Sequence, residues 1–207
     1  MKLYYAPGAC SQAPHIALTE AGIEFEPVQV DLRAKTLADG SDYLAVNPKG
    51  AVPALGLPEG EVLTENAVIL QFIGDLKPEA GLLPPLGHMH RYRALEWLNF
   101  VATELHKGFA PLFKPDAGEE TKGFAMRNVE AKLDYADQAF GPGPFLMGEQ
   151  LTLPDFYLFV MTGWAGHMGI NLDRRPRLAA FRETMLARPA VRQVLEREGL
   201  LQAEPAD

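Results

Sequence analysis

The residues of this chain best suited to chemistry begin with Cys10, its one cysteine, and Ser11 directly after it. They stand in Tyr4-Tyr5-Ala6-Pro7-Gly8-Ala9-Cys10-Ser11, between an apolar stretch, Met1 to Tyr5, and an alanine-rich one carrying Ile16, Leu18 and Ile23. The first reads as a short buried strand bounded by Pro7 and Gly8. The second reads as a helix of about three turns that ends at Gly22. The turn between them sets Cys10 and Ser11 at a helix N-terminus, where backbone N–H groups and the positive end of the dipole favour an anion. A thiol there loses its proton more readily than at its ordinary pKa of about 8.5, and the thiolate is the reactive form. A Cys-x-x-Cys turn could close its own ring, but the fourth place here is Ala13, so this would be a one-thiol site, able to pair with an external thiol but not to close its own ring. On this stretch alone, compact turn filler accounts for Ala9-Cys10-Ser11 equally well.

The second informative stretch is Asn47-Pro48-Lys49-Gly50-Ala51-Val52-Pro53-Ala54-Leu55. Asn47-Pro48 and Lys49-Gly50 mark a turn, and Val52-Pro53 begins an apolar strand. Proline at a strand start donates no ladder hydrogen bond, which predicts a bulge or a cis peptide. A cis turn at Pro53 would leave the Val52 N–H and C=O facing outward, able to pair with an extended, peptide-like ligand as an added strand does. A rigid turn without a ligand is the competing account. Further on, Thr64-Glu65-Asn66 opens a helix with Ile69, Ile73 and Leu76 at helical spacing. Thr64 is the expected N-cap, and Glu65 falls in the first turn, where its charge suits the dipole. Capping explains Glu65 without any ligand, just as a solvated loop position explains Lys35.

The chain positions these residues through a change of pattern. Strand, helix and the alternating strand Glu26 to Leu32 form a βαβ unit. A polar loop, Arg33 to Ser41, follows, then a short helix, the Val52–Leu55 strand, a turn from Gly56 to Gly60, the strand Glu61-Val62-Leu63 and a helix. This order predicts a thioredoxin-like α/β unit with a mixed, four-stranded sheet over residues 1–80. Lys77 to Gly87, rich in proline and glycine, marks the boundary, and 88–207 is expected to be all-helical. There Leu95, Leu98, Ala102, Leu105, Phe109 and Leu112 form the seam of one long amphipathic helix from Met89 to Leu112. Asn99, Thr103 and His106, at i, i+4 and i+7, form a polar stripe beside that seam, as the wall of a cleft would. An ordinary surface or core position suits His106 as well. The next helix is expected over Thr121 to Phe140. Thr152-Leu153-Pro154-Asp155 is a capping box, stapled by Leu151 and Phe156, so Asp155 is a cap and not a catalytic carboxylate. The helix after it is apolar nearly all round and should be the centre of its domain. Helices around 177–186 and 189–198 close the chain.

Composition limits what the 207 residues can do. Apolar residues make up 47% and charged ones 22%, an ordinary globular balance. A net charge of −8 argues against a nucleic-acid or anionic-membrane surface. No apolar run approaches the roughly 18 residues of a membrane span. The N-terminus lacks a signal peptide's apolar core, and one cysteine makes no internal disulfide, so a cytoplasmic protein is expected. No zinc-like ligand spacing occurs, and no metal is expected.

Along nearly its whole length the chain resembles the cytosolic glutathione S-transferases, and among them the bacterial beta class. The likeness rests on Tyr5-x-Pro7-Gly8-Ala9-Cys10-Ser11, Asn47-Pro48-x-Gly50-x-Val52-Pro53-Ala54-Leu55, Thr64-Glu65, Glu96-Trp97-Leu98-Asn99, Thr103-Glu104-Leu105-His106-Lys107 and the box before Phe156. Cys10 with His106 points to the beta class. The resemblance implies a homodimer acting in detoxification, with glutathione as co-substrate and a hydrophobic electrophile as second substrate. It implies that Pro53 is cis, that the Val52 backbone pairs with the cysteinyl part of glutathione, and that Lys35 holds the glycyl carboxylate. Glu65 and Asn66 would hold the γ-glutamyl end; Asn99, Thr103, Glu104 and His106 would complete the site, some from the partner subunit. Position 66 departs from the pattern: Asn66 stands where many relatives carry a serine that bonds the glutamyl carboxylate. Its amide can still donate, on a longer arm.

The thiol of glutathione is mostly protonated at neutral pH, so the enzyme must supply donors that stabilise a sulfur anion. Cys10, Ser11 and His106 are the candidate set, and Tyr5, in the strand, is a rival. Two enzymatic readings follow: conjugation to electrophiles, and reduction of disulfides or peroxides through a Cys10–glutathione disulfide. A non-catalytic binding protein is the third. The electrophile pocket is expected near Phe109, Phe113 and Trp164.

Overall fold

The computed structural model describes residues 1–201. Two compact units divide the chain: Met1–Ala80 together with the residues from Leu186 onward, and Gly81–Met185. The break falls inside the expected proline- and glycine-rich boundary. The closing segment differs from expectation: it joins the first unit, not the helical domain assigned to 88–207. Residues 202–207 of that assignment lie outside the described residues.

The first unit is built on β1 (Lys2–Tyr5), α1 (Gln12–Glu20), β2 (Glu26–Asp31), β3 (Thr36–Leu37), β4 (Ala54–Gly56), β5 (Val62–Thr64) and α2 (Asn66–Leu76). Its sheet has the order β3-β2-β1-β4-β5. β1 and β2 run parallel, with Tyr4 opposite Val28, while the β1–β4, β2–β3 and β4–β5 pairs are antiparallel. The sheet is therefore mixed, as expected, but it has five strands and not four. The additional strand comes from the polar loop. The Asp31 carboxylate accepts the N–H groups of Arg33 and Ala34, each at 2.8 Å, and Lys35 adopts a left-handed φ of 60°. The chain thereby turns back, and Thr36 and Leu37 pair with Asp31 and Val30. These two backbone donors also hold the Asp31 carboxyl below its usual range.

Period-two alternation divides the side chains of β1. Tyr4 meets Tyr43 at 5.7 Å between ring centres, over a cluster of Ala6, Val30, Tyr43, Val52 and Ala54. Tyr5 points the other way, packing at 5.0 Å on His15 of α1. Helix α8 (Pro189–Arg197) belongs to this unit, and a buried carboxylate just past its end helps tie it there. Glu198 accepts from the Gly8 N–H at 3.0 Å, from Gln12 Nε2 at 3.1 Å and bonds His15 Nδ1 at 2.8 Å, its side chain and that of His15 both 0% exposed. A buried carboxylate needs this many partners to be tolerated. An Arg188–Glu20 ion pair ties the same two helices.

The second unit contains α3 (Met89–Phe100), a π-helical segment (Val101–His106), α4 (Lys107–Phe109), a 3₁₀ turn (Ala110–Phe113), α5 (Glu119–Ala139), α6 (Leu153–His167) and α7 (Pro176–Leu186, its last residue in the other unit). The expected single helix from Met89 to Leu112 is thus interrupted. A π turn bonds i to i+5 and rotates everything after it. Helix α6 is the buried centre, as its composition implies, and its capping box forms. Among the described residues no helix is long and apolar enough to cross a membrane.

Candidate active site

In the first unit the expected site residues gather at the starts of two helices and at one turn. Cys10 lies just before α1, 7% exposed, and its thiol donates to the Val52 carbonyl, Sγ to O 3.3 Å. Ser11 occupies the N-cap position of α1 without capping it. Its hydroxyl is turned back: Oγ accepts the Ala6 N–H at 3.1 Å and donates to the Ala6 carbonyl at 3.3 Å, fully buried. Pro53 follows a cis peptide, as expected. The turn ahead of it is fixed from two sides, because Tyr43 Oη and Asn47 Nδ2 both donate to the Ala51 carbonyl, at 2.8 and 2.7 Å. Lys35 leaves its loop to reach the same turn, donating Nζ to the Gly50 carbonyl at 2.6 Å. Gly50 has φ of 60°, and a Cβ there would come within 3.1 Å of Leu44 and 3.3 Å of Lys35. The turn needs glycine to let the lysine in.

Thr64 lies in β5 and not at a helix cap, which corrects the sequence expectation. Glu65 precedes α2 with φ 72° and ψ 116°, and its side chain does not cap the helix. Such a conformation costs a non-glycine residue on the order of 1–3 kcal/mol and tends to survive where function holds it. Lys49 grips that position, its Nζ at 2.5 Å from the Glu65 carboxylate and 2.9 Å from Thr64 Oγ1. Asn66, the first residue of α2, donates Nδ2 to the Cys10 carbonyl at 2.8 Å. Sequence reasoning missed Lys49, Tyr43 and Asn47 as supports; Asn47 and Lys49 were legible only as turn residues, and Tyr43 gave no signal.

The second unit holds the remaining residues, and the structure does not keep their stripe together. Asn99, Thr103 and Glu104 line a groove of about 320 Å³ with Glu96, Trp97, Phe100 and Tyr135. Thr103 Oγ1 donates to the Asn99 carbonyl at 3.0 Å, and Glu104 pairs with Lys132 at 2.7 Å. His106, the last residue of the π-helical segment, faces α6: its Nδ1 hydrogen-bonds Tyr157 Oη at 2.5 Å. Its ring stands edge-on to Trp164 at 5.1 Å. Phe109 and Phe113 meet the same Trp164 at 5.8 and 4.8 Å, so the expected aromatic trio does assemble, with Phe113 exposed. Among the described residues no group of three His, Cys, Asp or Glu could hold a metal.

Comparison with known proteins gives this geometry a family. A family model described as "Glutathione S-transferase, N-terminal domain" matches residues 8–76, and "Glutathione S-transferase, C-terminal domain" matches 100–189. The chain belongs to the glutathione S-transferase family. It is 48% identical to the glutathione S-transferase GstA of Escherichia coli O157:H7 over 97% of this chain and all of that one. The solved structure of a bacterial beta-class glutathione S-transferase from Sphingomonas chungbukensis is 45% identical, with a TM-score of 0.93 over 97% of this chain and 100% of that one. A sphingomonad glutathione S-transferase solved with glutathione gives the same identity, 45%, the same TM-score, 0.93, and the same coverage, 97% and 100%. This transferase therefore carries the beta-class pattern on its thioredoxin-like and helical parts. Its Tyr5, the rival thiolate donor, sits on the α1 side of the sheet, and burial, with Glu198 adding to it, pushes its pKa up.

Proposed function

We propose that this glutathione transferase joins the glutathione thiolate to hydrophobic electrophiles, with Cys10 as the group that meets the incoming sulfur. The observation that carries the reading is the Cys10 thiol held 3.3 Å from the Val52 carbonyl at the start of α1. The Val52 main chain pairs with the cysteinyl part of glutathione, which brings the ligand sulfur beside Cys10 and the helix N-terminus. Both favour the anion, so the thiol of glutathione ionises at neutral pH. Lys35, already aimed at the turn, holds the glycyl carboxylate. Glu65 and the backbone N–H groups at the start of α2 hold the γ-glutamyl end, the Asn66 side chain being engaged by the Cys10 carbonyl. Asn99, Thr103, Glu104 and His106 complete the site in a cytoplasmic homodimer, some of them supplied by the partner subunit. Trp164 with Phe113 offers the electrophile an aromatic wall.

The same contact supports a side reaction. The Cys10 thiolate attacks one sulfur of oxidised glutathione, the S–S bond breaks, a Cys10–glutathione disulfide forms and the second glutathione leaves as thiolate, to be protonated from solvent. Ser11 is less suited to the donor role, since Ala6 engages its hydroxyl on both counts. A non-catalytic binder is tested by the same assay: wild type should bind reduced glutathione, conjugate it to an aryl halide, and gain one glutathionyl group in its intact mass on exposure to oxidised glutathione. Cys10→Ala should gain none. A Cys10→Ala protein that is still glutathionylated, or a wild type that neither binds nor conjugates glutathione, refutes the assignment.

A further inference from the structure

We propose that Asn66 is a positioning residue for Cys10, acting on the reactive sulfur through the Cys10 main chain. Asn66 is 7% exposed and donates Nδ2 to the Cys10 carbonyl at 2.8 Å, across 56 residues of sequence. The Ala13 N–H reaches the same carbonyl at 3.2 Å, closing the first turn of α1. A carbonyl only accepts, so the amide nitrogen must face it, and Oδ1 points away. That Oδ1 is buried with no protein hydrogen-bond partner. The amide is therefore anchored by its nitrogen end, and the bond to Cys10 is what orients the side chain.

Cys10 is in consequence held at two ends. Asn66 holds its carbonyl from α2, and Val52 holds its Sγ from the turn before Pro53. Together the two bonds set where the sulfur stands relative to Val52, whose main chain is the proposed seat of the ligand's cysteinyl part. Loss of the Asn66 bond removes the tie between the Cys10 carbonyl and α2, leaves the Ala13 N–H of α1 on that carbonyl, and lets the sulfur leave the Val52 carbonyl. Misplacement by about 1 Å can cost an oriented reaction on the order of 100-fold. The inference rests on the proposal that Cys10 meets glutathione sulfur, but the position of the thiol itself can be measured without glutathione.

The test uses full-length Asn66→Leu, close in volume and without polar atoms, and Asn66→Ala should the leucine variant not fold. The first probe is the small neutral disulfide 4,4′-dithiodipyridine, which needs no docking. Its reaction with Cys10 should speed up by about threefold or more as the held thiol is released into local opening. The second is the rate of glutathionylation at saturating oxidised glutathione, which should fall about tenfold or more, while the Kd for reduced glutathione stays within about threefold. Opposite movement of the two rates is the signature of a lost position. Unchanged reactivity toward 4,4′-dithiodipyridine overturns the proposal, and so does a loss of glutathione affinity with an unchanged saturating rate, which would make Asn66 a ligand contact. A wild type that binds no glutathione would instead sink the proposed function, with the first probe still deciding the role of Asn66.

Discussion

Two helix starts in this protein carry a hydroxyl residue able to cap, and they use it in opposite ways. At α6, Thr152 is in extended conformation, with φ −136° and ψ 167°, and forms a full capping box. Its N–H and Oγ1 both donate to Asp155 Oδ2, at 2.7 and 2.8 Å, and the Leu146 N–H reaches Oδ1 at 2.9 Å. The polar groups there close on one another. At α1, Ser11 is already helical, with φ −61° and ψ −15°, and its hydroxyl turns away to Ala6. The first turn of α1 has no side-chain cap, and the residue next to it is Cys10. At α6 the chain follows the local capping rule; at α1, beside Cys10, it leaves the helix end unfilled by its own side chain.

Breaking the filled end should cost the most. Asp155→Ala leaves three buried donors without their acceptor, and about 3 kcal/mol or more of stability should be lost, measured by urea unfolding. Conjugation per folded molecule should stay within about twofold. If stability held and turnover collapsed, Asp155 would be part of the chemistry and the contrast would fail. Ser11→Ala tests the other end. It removes two hydrogen bonds to Ala6, so about 1–2 kcal/mol of stability should go, while saturating turnover falls by no more than about threefold. A hundredfold fall in turnover with unchanged stability would restore Ser11 as the thiolate's donor.

The contrast also marks what the sequence can disclose. The capping box and the strand–turn–helix around Cys10 are local, and each was legible from neighbours within a few residues; at Pro53 the neighbours left a bulge or a cis peptide open, and the family resemblance implied the cis form. Cys10 and Val52 are 42 positions apart, and their contact is visible only in the folded chain. What escaped depends on pairing at a distance. Thr36–Leu37 is two residues long and carries no periodicity, so β3 was invisible. The Met89–Leu112 seam has helical spacing throughout, and nothing in it announces a π turn; hence Asn99 and Thr103 were joined to His106, which turns to Tyr157. Glu198 sits in an unremarkable polar tail, and its three partners, which tie it to the first unit, are drawn from residues 8–15. Glu65 reads as a helix-opening acid, yet its φ of 72° is set by tertiary context.

The smallest effect expected belongs to Tyr5, and it sharpens the comparison by asking whether a tyrosine supplies what Ser11 withholds. Desolvation chiefly, and the charge of Glu198 next, raise the Tyr5 pKa above its ordinary value, with Arg197 working in the opposite direction. In the unfolded chain the phenol ionises near 10. As pH rises past that value the unfolded state gives up its proton while the native state keeps it, so the unfolded state binds fewer protons and stability falls. The contribution is fully present below pH 10 and is lost as pH climbs toward the native pKa. Tyr43, also buried, shifts in the same direction, so part of the slope remains without Tyr5. Tyr5→Phe should therefore leave conjugation at neutral pH within about twofold and make the fall in unfolding free energy between about pH 9 and 11 shallower. A marked loss of turnover at neutral pH, with the alkaline stability slope unchanged, would mean that the phenol reaches the ligand sulfur after all and that the start of α1 does not act on it unaided.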